Sequence, residues 1–121
     1  MEENKFEKLD AWKEAHKLVI MVYQRTKSFP STEKFRLVDQ ICRSASSIPA
    51  NLVEGNARGH AKEYLQFLYQ ARGSLEETKY HLILSRDLNY LTDKQYREFE
   101  VQEEKVGKLI NGLIRYVKKN I

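Results

Sequence analysis

The chain has 121 residues, of which 41% are apolar and 31% charged, with 5 Gly and 2 Pro. That length allows one domain around one core, and the balance suits a helix-rich globular protein better than a β-sandwich or a disordered tail. A formal net charge of +4 permits contact with nucleic acid without requiring it. No apolar run approaches membrane-spanning length and the opening MEENKFEKLD is charged from the start, so neither a membrane span nor a signal peptide is expected, and the cytoplasm is the expected location.

Apolar residues at helical spacing, punctuated by caps and breakers, predict four helices within a single domain covering 1–121. The first is expected over about 10–26, where Leu9, Trp12, Ala15, Val19, Val22 and Thr26 step three and four apart, and it stops before Phe29-Pro30. The second is expected over 32–57 with Ser31 as its N-cap and Gly59 closing it. The third runs over 61–88 on a stripe of Tyr64, Phe67, Leu68, Ala71, Leu75, Thr78 and Leu82, and Asn89 suits a left-handed terminal residue. The fourth covers 93–118, opened by a Thr92/Gln95 capping box, with Tyr96, Phe99, Val106, Ile110, Leu113 and Val117 forming a heptad-like seam. Short connections between long amphipathic helices point to an all-α, antiparallel up-down-up-down four-helix bundle.

Two helices carry more apolar surface than one seam uses. On the second, Phe35, Cys42 and Val53 widen the stripe formed by Leu37, Val38, Ile41, Ala45, Ile48 and Leu52. On the third, Leu65, Tyr69, Tyr80, Ile83 and Leu84 fall on the flank and back, and Gly73 lies mid-helix on the same outer face, where it costs about 1 kcal/mol relative to Ala. Helices apolar on two sides need burial on two sides, so copies of the chain are expected to associate through Leu65, Tyr69, Gly73, Tyr80 and Leu84. Scattered surface tyrosines beside a tolerated glycine are the plainer reading of the same residues.

Pro49 sits inside the second helix, where it removes a donor and crowds the carbonyl four residues back, at a cost of roughly 3 kcal/mol. A proline-kinked helix would re-aim the polar stripe of Arg36, Gln40, Arg43, Ser47, Asn51, Glu54 and Arg58, and a shaped packing surface accounts for the strain better than a merely solvated face does. The lone Cys42, among apolar neighbours, is read as a small buried hydrophobe.

The stretches SSIPANLVEG, ARG, KEYLQFLYQARGSLEETKYHL and EEKVGKLINGLIRYVKK, within a likeness that begins at FEKLDAWKEAHKLV, resemble the bacterial four-helix-bundle family of 23S ribosomal RNA intervening-sequence proteins. That family is related to the accessory variability determinant of diversity-generating retroelements. Arg43, Ser47, Ile48, Pro49, Ala50, Asn51, Glu54 and Gly55 match its motif in the second helix, Arg58 fits the basic position beyond, and Arg72, Gly73, Ser74 and Glu76 match the third. The resemblance implies an antiparallel bundle assembling as a homopentamer, with no established enzymatic activity and with a role in binding RNA or a ribonucleoprotein partner. One departure is Gly59-His60 where relatives place a Ser or Thr cap, which leaves the start of the third helix less well capped.

Enzymatic chemistry finds little footing. Glu-x-x-His, His-Glu-x-x-His, paired Cys and acidic calcium loops are missing, so no metal and no cofactor is expected. No His has an Arg four to six residues upstream, as helical-bundle ribonucleases of the HEPN class require, and Gly55 and Gly59 read as helix-end glycines rather than a phosphate loop. Glu103 falls within the apolar stripe of the fourth helix and calls for a basic partner, Arg43 or Arg72 being the candidates, or for a place at the wet edge of the seam. No small-molecule substrate suggests itself.

The leading expectation is a homo-oligomeric, non-enzymatic scaffold for structured RNA or an RNA-bound protein. Its cations would be Arg36, Arg43, Arg58 and Lys62 on one side, with Arg72, Lys79 and Arg86 spaced by seven along the third helix. Ordinary salt bridging, as of Arg72 to Glu76, is the plainer reading of that second line. The alternative function is a protein-only interaction module in which the basic residues merely solubilise.

Overall fold

The helix ends are set by local chemistry. In the computed structural model, which describes residues 5–121, the elements are a short 3-10 turn at Lys5–Lys8, α1 (Asp10–Thr26), a second 3-10 turn at Ser31–Glu33, α2 (Leu37–Ala57), α3 (Ala61–Asp87) and α4 (Asp93–Lys119). Residues 1–4, the start of the stretch read above against a signal peptide, lie outside the described residues. No helix of the described chain is long and apolar enough to cross a membrane.

At the start of α4 the Gln95 backbone N–H donates to Thr92 Oγ1 at 3.1 Å, and the Thr92 N–H donates to Gln95 Oε1 at 2.9 Å, so the capping box is complete. At the end of α3 Asn89 takes φ 64°, with its N–H on the Arg86 carbonyl and the Tyr90 N–H reaching back to the Ser85 carbonyl, both at 2.9 Å. Those two bonds satisfy carbonyls that the helix end would otherwise strand. His60 precedes α3 without a side-chain capping bond.

The second helix begins later than its sequence suggests. Ser31 makes no side-chain cap, Arg36 departs from helical geometry at φ −120° and ψ −104°, and α2 starts only at Leu37. The intervening segment is tied elsewhere: Tyr90 Oη donates to Glu33 Oε2 at 2.8 Å, and the Tyr90 ring lies 5.2 Å from that of Phe29. Phe35 therefore falls outside the helix and contributes nothing to its apolar stripe, with 85% of its surface exposed. From Leu37 onward α2 is helical through Pro49, which is buried.

Each helix packs on two neighbours, α1 and α3 both lying against α2 and α4. Across α2 and α3, Ser44 meets Thr78 and Arg58 meets Glu63; across α3 and α4, Arg72 meets Asn111 and Leu75 approaches Gly107. Residue numbers rise on one helix as they fall on the other, so these neighbours run in opposite directions. Leu18, Val22, Ile41, Ile48, Leu52, Leu68, Leu75, Leu82, Val106 and Ile110 fill the middle, all essentially inaccessible. Burial of each such side chain contributes about 1.5–3 kcal/mol.

Several polar groups within this core find partners. Thr78 Oγ1 donates to Ser44 Oγ at 2.9 Å and Ser44 to the Ile41 carbonyl at 3.2 Å, while Gln102 Nε2 reaches both the carbonyl and Oε1 of Glu14, each at 2.9 Å. Gly55 lies in the last turn of α2, as its sequence context suggests, and the Arg58 N–H bonds its carbonyl. It is buried inside α2, where a Cβ would lie 2.9 Å from Phe67 Cβ and 2.9 Å from Tyr64 Cδ1, so its lack of a side chain lets α3 lie close.

Candidate functional site

The polar stripe of α2 is largely turned on itself. Ser47 Oγ donates to the Arg43 carbonyl at 2.8 Å, Asn51 Nδ2 to the Ser47 carbonyl at 2.8 Å, and Ser46 Oγ to the Cys42 carbonyl. Short polar side chains commonly satisfy the carbonyl one turn back, and three do so here around Pro49. The arginines of that stripe are likewise engaged. Arg36 lies 4.0 Å from Glu33, Arg43 lies 3.6 Å from Asp39, and Arg58 sits between Glu54 at 3.4 Å and Glu63 at 3.9 Å. Arg58 also caps the Phe67 ring at 5.1 Å, so it ties the end of α2 to the start of α3. Lys62 is exposed one turn further on.

Along α3 the three cations at sevenfold spacing meet different fates. Lys79 Nζ bonds Glu76 Oε1 at 2.9 Å, and Arg86 Nε bonds Asp87 Oδ1 at 3.0 Å with its guanidinium 4.5 Å from the Tyr96 ring. Arg72 does not pair with Glu76, which is held by Lys79. Instead Arg72 Nη1 donates to Asn111 Oδ1 at 3.2 Å and its guanidinium covers the Tyr69 ring at 5.1 Å, a ring that Lys118 approaches at 5.8 Å.

Glu103 is buried in α4 with Oε1 lacking any hydrogen-bond partner, and neither Arg43 nor Arg72 serves it. Arg43 is committed to Asp39 and Arg72 to Asn111, whereas Lys79 is the cation that acts on the carboxyl. Burial dominates and pushes its pKa up to about 7, with Lys79 opposing and Glu100, Glu76 and Glu104 reinforcing the rise. The wheel correctly put Glu103 on the inward face, but nothing in one helix reveals which cation of the next stands opposite.

Two other titratable groups are displaced. Burial lowers the pKa of His81, whose Nδ1 has no partner and whose Nε2 lies 3.9 Å from Glu77. Burial raises that of the Cys42 thiol, half-buried beside Thr26 Oγ1 at 3.9 Å. Among the described residues no group of three or more His, Cys, Asp or Glu is placed to hold a metal ion.

Of the residues expected to meet a second copy, Leu65, Tyr69 and Leu84 are half-buried against their own core. Gly73 faces open space, and Tyr80 beside it on the outer face is 58% exposed. Sequence reasoning overlooked a different set. Lys105, Lys108, Arg115 and Lys119 are exposed on α4 and have no carboxylate partner among the described residues, nor has Lys62. The signal was available, since no Asp or Glu occurs after Glu104.

Comparison with known proteins adds identity to this geometry. A crystal structure of a protein of unknown function from the S23 ribosomal protein family of Bacteroides thetaiotaomicron VPI-5482 superposes with a TM-score of 0.77. It shares 24% sequence identity, and the match covers 86% of this chain and 97% of that one, a likeness of fold. Comparison with curated proteins gives no match. The family model for the 23S rRNA-intervening sequence protein matches residues 7–112, nearly the whole of the helical chain, and the protein therefore belongs to that family.

Proposed function

We propose that this protein is a non-enzymatic, cytoplasmic, homo-oligomeric scaffold, pentameric as the family resemblance implies, that binds structured RNA or a ribonucleoprotein containing it. The observation that carries this reading is a surplus of exposed cations that no carboxylate neutralises, in a chain of net charge +4 whose family is described by a 23S rRNA element. Such cations gain by releasing the counterions condensed on phosphates. Repetition of the same cations around a ring multiplies modest contacts.

Tyr80 and Gly73, on the outer face of α3, support association of copies, because an exposed aromatic beside a side-chain-free position offers both area and room for a neighbouring helix. The test is fluorescence anisotropy with a labelled RNA hairpin across salt. Affinity is expected to fall steeply between about 50 and 200 mM salt, as the count of neutralised phosphates dictates. Absence of binding at every salt concentration would refute it.

A protein-only module is the second reading, favoured by one feature. Phe35 is 85% exposed with Lys34 Nζ over its ring at 5.4 Å, and Lys34, Lys27, Thr26 and Ser31 line a groove together with Tyr23, Phe29, Pro30, Val38 and Cys42, whose apolar part suits a polypeptide segment. Binding to a protein partner that is indifferent to salt, with no RNA bound, would select it.

A further inference from the structure

We propose that the carboxyl-terminal half of α4 is the face that grips the RNA phosphates, in place of the α2 arginines that sequence alone nominates. This inference rests on the RNA-binding reading above and assigns its contact surface. From Lys105 to Ile121 the chain carries five cations, Lys105, Lys108, Arg115, Lys118 and Lys119, and no Asp or Glu. Lys105, Lys108, Arg115 and Lys119 succeed one another at spacings of three, seven and four, which puts them on one stripe about 21 Å long. All four are exposed, and none has an ion pair among the described residues.

The neighbouring helix extends this face. Arg72 of α3 is held against α4 by Asn111 at 3.2 Å, and it and Lys118 share the Tyr69 ring at 5.1 and 5.8 Å. A cation fixed over an aromatic face keeps its charge while losing mobility, so it loses less entropy on meeting a phosphate. Gly112 lies between Lys108 and Arg115, and a Cβ there would stand 3.9 Å from Arg115 Nη2, so the guanidinium rests close to the bare glycine on the same stripe. Tyr116, 68% exposed beside Arg115, offers a ring to an unpaired base.

Acids fix the borders of the face. On the α1 side, Asp10 and Glu14 line the groove that also contains Lys105, Lys108 and Leu109, and Glu104 stands one turn before Lys108. A polyanion lying on α4 is therefore turned away from α1 and kept to the half of the helix beyond Glu104. By contrast Arg36, Arg43 and Arg58 each already face a carboxylate, whose repulsion a phosphate would have to share.

The experiment measures binding of a fluorescein-labelled RNA hairpin with an unpaired loop, using the full chain at several salt concentrations. Lys108→Ala/Arg115→Ala/Lys119→Ala is expected to weaken binding at least tenfold at about 100 mM salt and to reduce the salt slope by about two to three, roughly one for each phosphate left without its cation. Arg36→Ala/Arg43→Ala is expected to change affinity less than about threefold. Replacing the two lysines by Arg should preserve binding, and Tyr116→Ala should weaken it without altering the slope. Circular dichroism and solution mass confirm that each variant keeps its fold and assembly. Wild-type binding with an unchanged slope in the α4 triple variant, or a larger loss in the α2 pair, would overturn the assignment while leaving RNA binding intact. A wild-type chain that binds no RNA would overturn both, including the case in which the α4 cations instead attach it to anionic phosphatidylserine vesicles.

Discussion

Gly55 of α2 and Phe67 of α3 approach so closely that a methyl group at position 55 would lie 2.9 Å from the Phe67 Cβ. Phe67 Cβ is fixed to the backbone of α3 and cannot swing aside, unlike the end of a long side chain. Gly55→Ala is therefore expected to push the helices apart at a cost of about 1–3 kcal/mol, more than offsetting the roughly 1 kcal/mol that Ala gains over Gly in a helix. Urea unfolding should show a lower midpoint with an unchanged slope. A higher midpoint would mean that the two helices are looser than described.

Gly73 makes the opposite case, since nothing lies within 4 Å of a Cβ built there. Gly73→Ala should stabilise the folded chain by about 0.5–1 kcal/mol. With a neighbouring copy packed across Gly73 and Tyr80, the same methyl group should weaken association, read as a rise in the dissociation constant by sedimentation equilibrium. A variant more stable and equally well associated would place the contact between copies elsewhere.

Glu103 carries a pH signature. Its carboxyl titrates near 7 in the folded chain against 4.5 for an unperturbed group, so between those values the folded state holds the extra proton. Its contribution to stability is thus greatest at low pH and declines as pH rises from 4.5 through 7, by on the order of 3 kcal/mol. His81 acts in the opposite sense below 6.5, because its lowered pKa makes the unfolded chain the better proton acceptor. Subtracting the Glu103→Gln profile from that of the wild type isolates the first effect. The variant should be the more stable at about pH 8 and should lose the advantage near pH 5; parallel profiles would show that Glu103 is solvated.

Arg58 is expected to matter to stability more than Arg36 or Arg43. It faces Glu54 and Glu63 and covers the Phe67 ring, whereas the others make one exposed pair each. Arg58→Ala should cost about 1 kcal/mol and Arg36→Ala or Arg43→Ala under half of that, measured by thermal unfolding. Equal effects at the three positions would contradict the bridging role of Arg58.

Much of the fold was legible because helix boundaries are local events. Thr92 with Gln95, and Asn89 at the left-handed position, mark their helix ends within four residues of sequence. The family resemblance was legible in motifs such as SSIPANLVEG. What escaped reading depended on residues from another helix. Gly55 reads as a helix-end glycine, which it is, but its close contact with Tyr64 and Phe67 is invisible in α2 alone, and Ser31 looks like a cap until Tyr90 is found holding Glu33. Glu103 needed a cation, but the wheel of α4 could not tell Lys79 from Arg72. For the basic residues the obstacle was pairing: charge at helical spacing identifies a stripe, and only side-chain geometry distinguishes neutralised Arg36 and Arg43 from the unpaired Lys108 and Arg115.

The scaffold reading requires that several chains associate, and light scattering of the purified protein at high concentration addresses this most directly. The expected mass is a multiple of the 14.3 kDa chain, fivefold for the pentamer. A single species of 14.3 kDa that persists on concentration would contradict the reading.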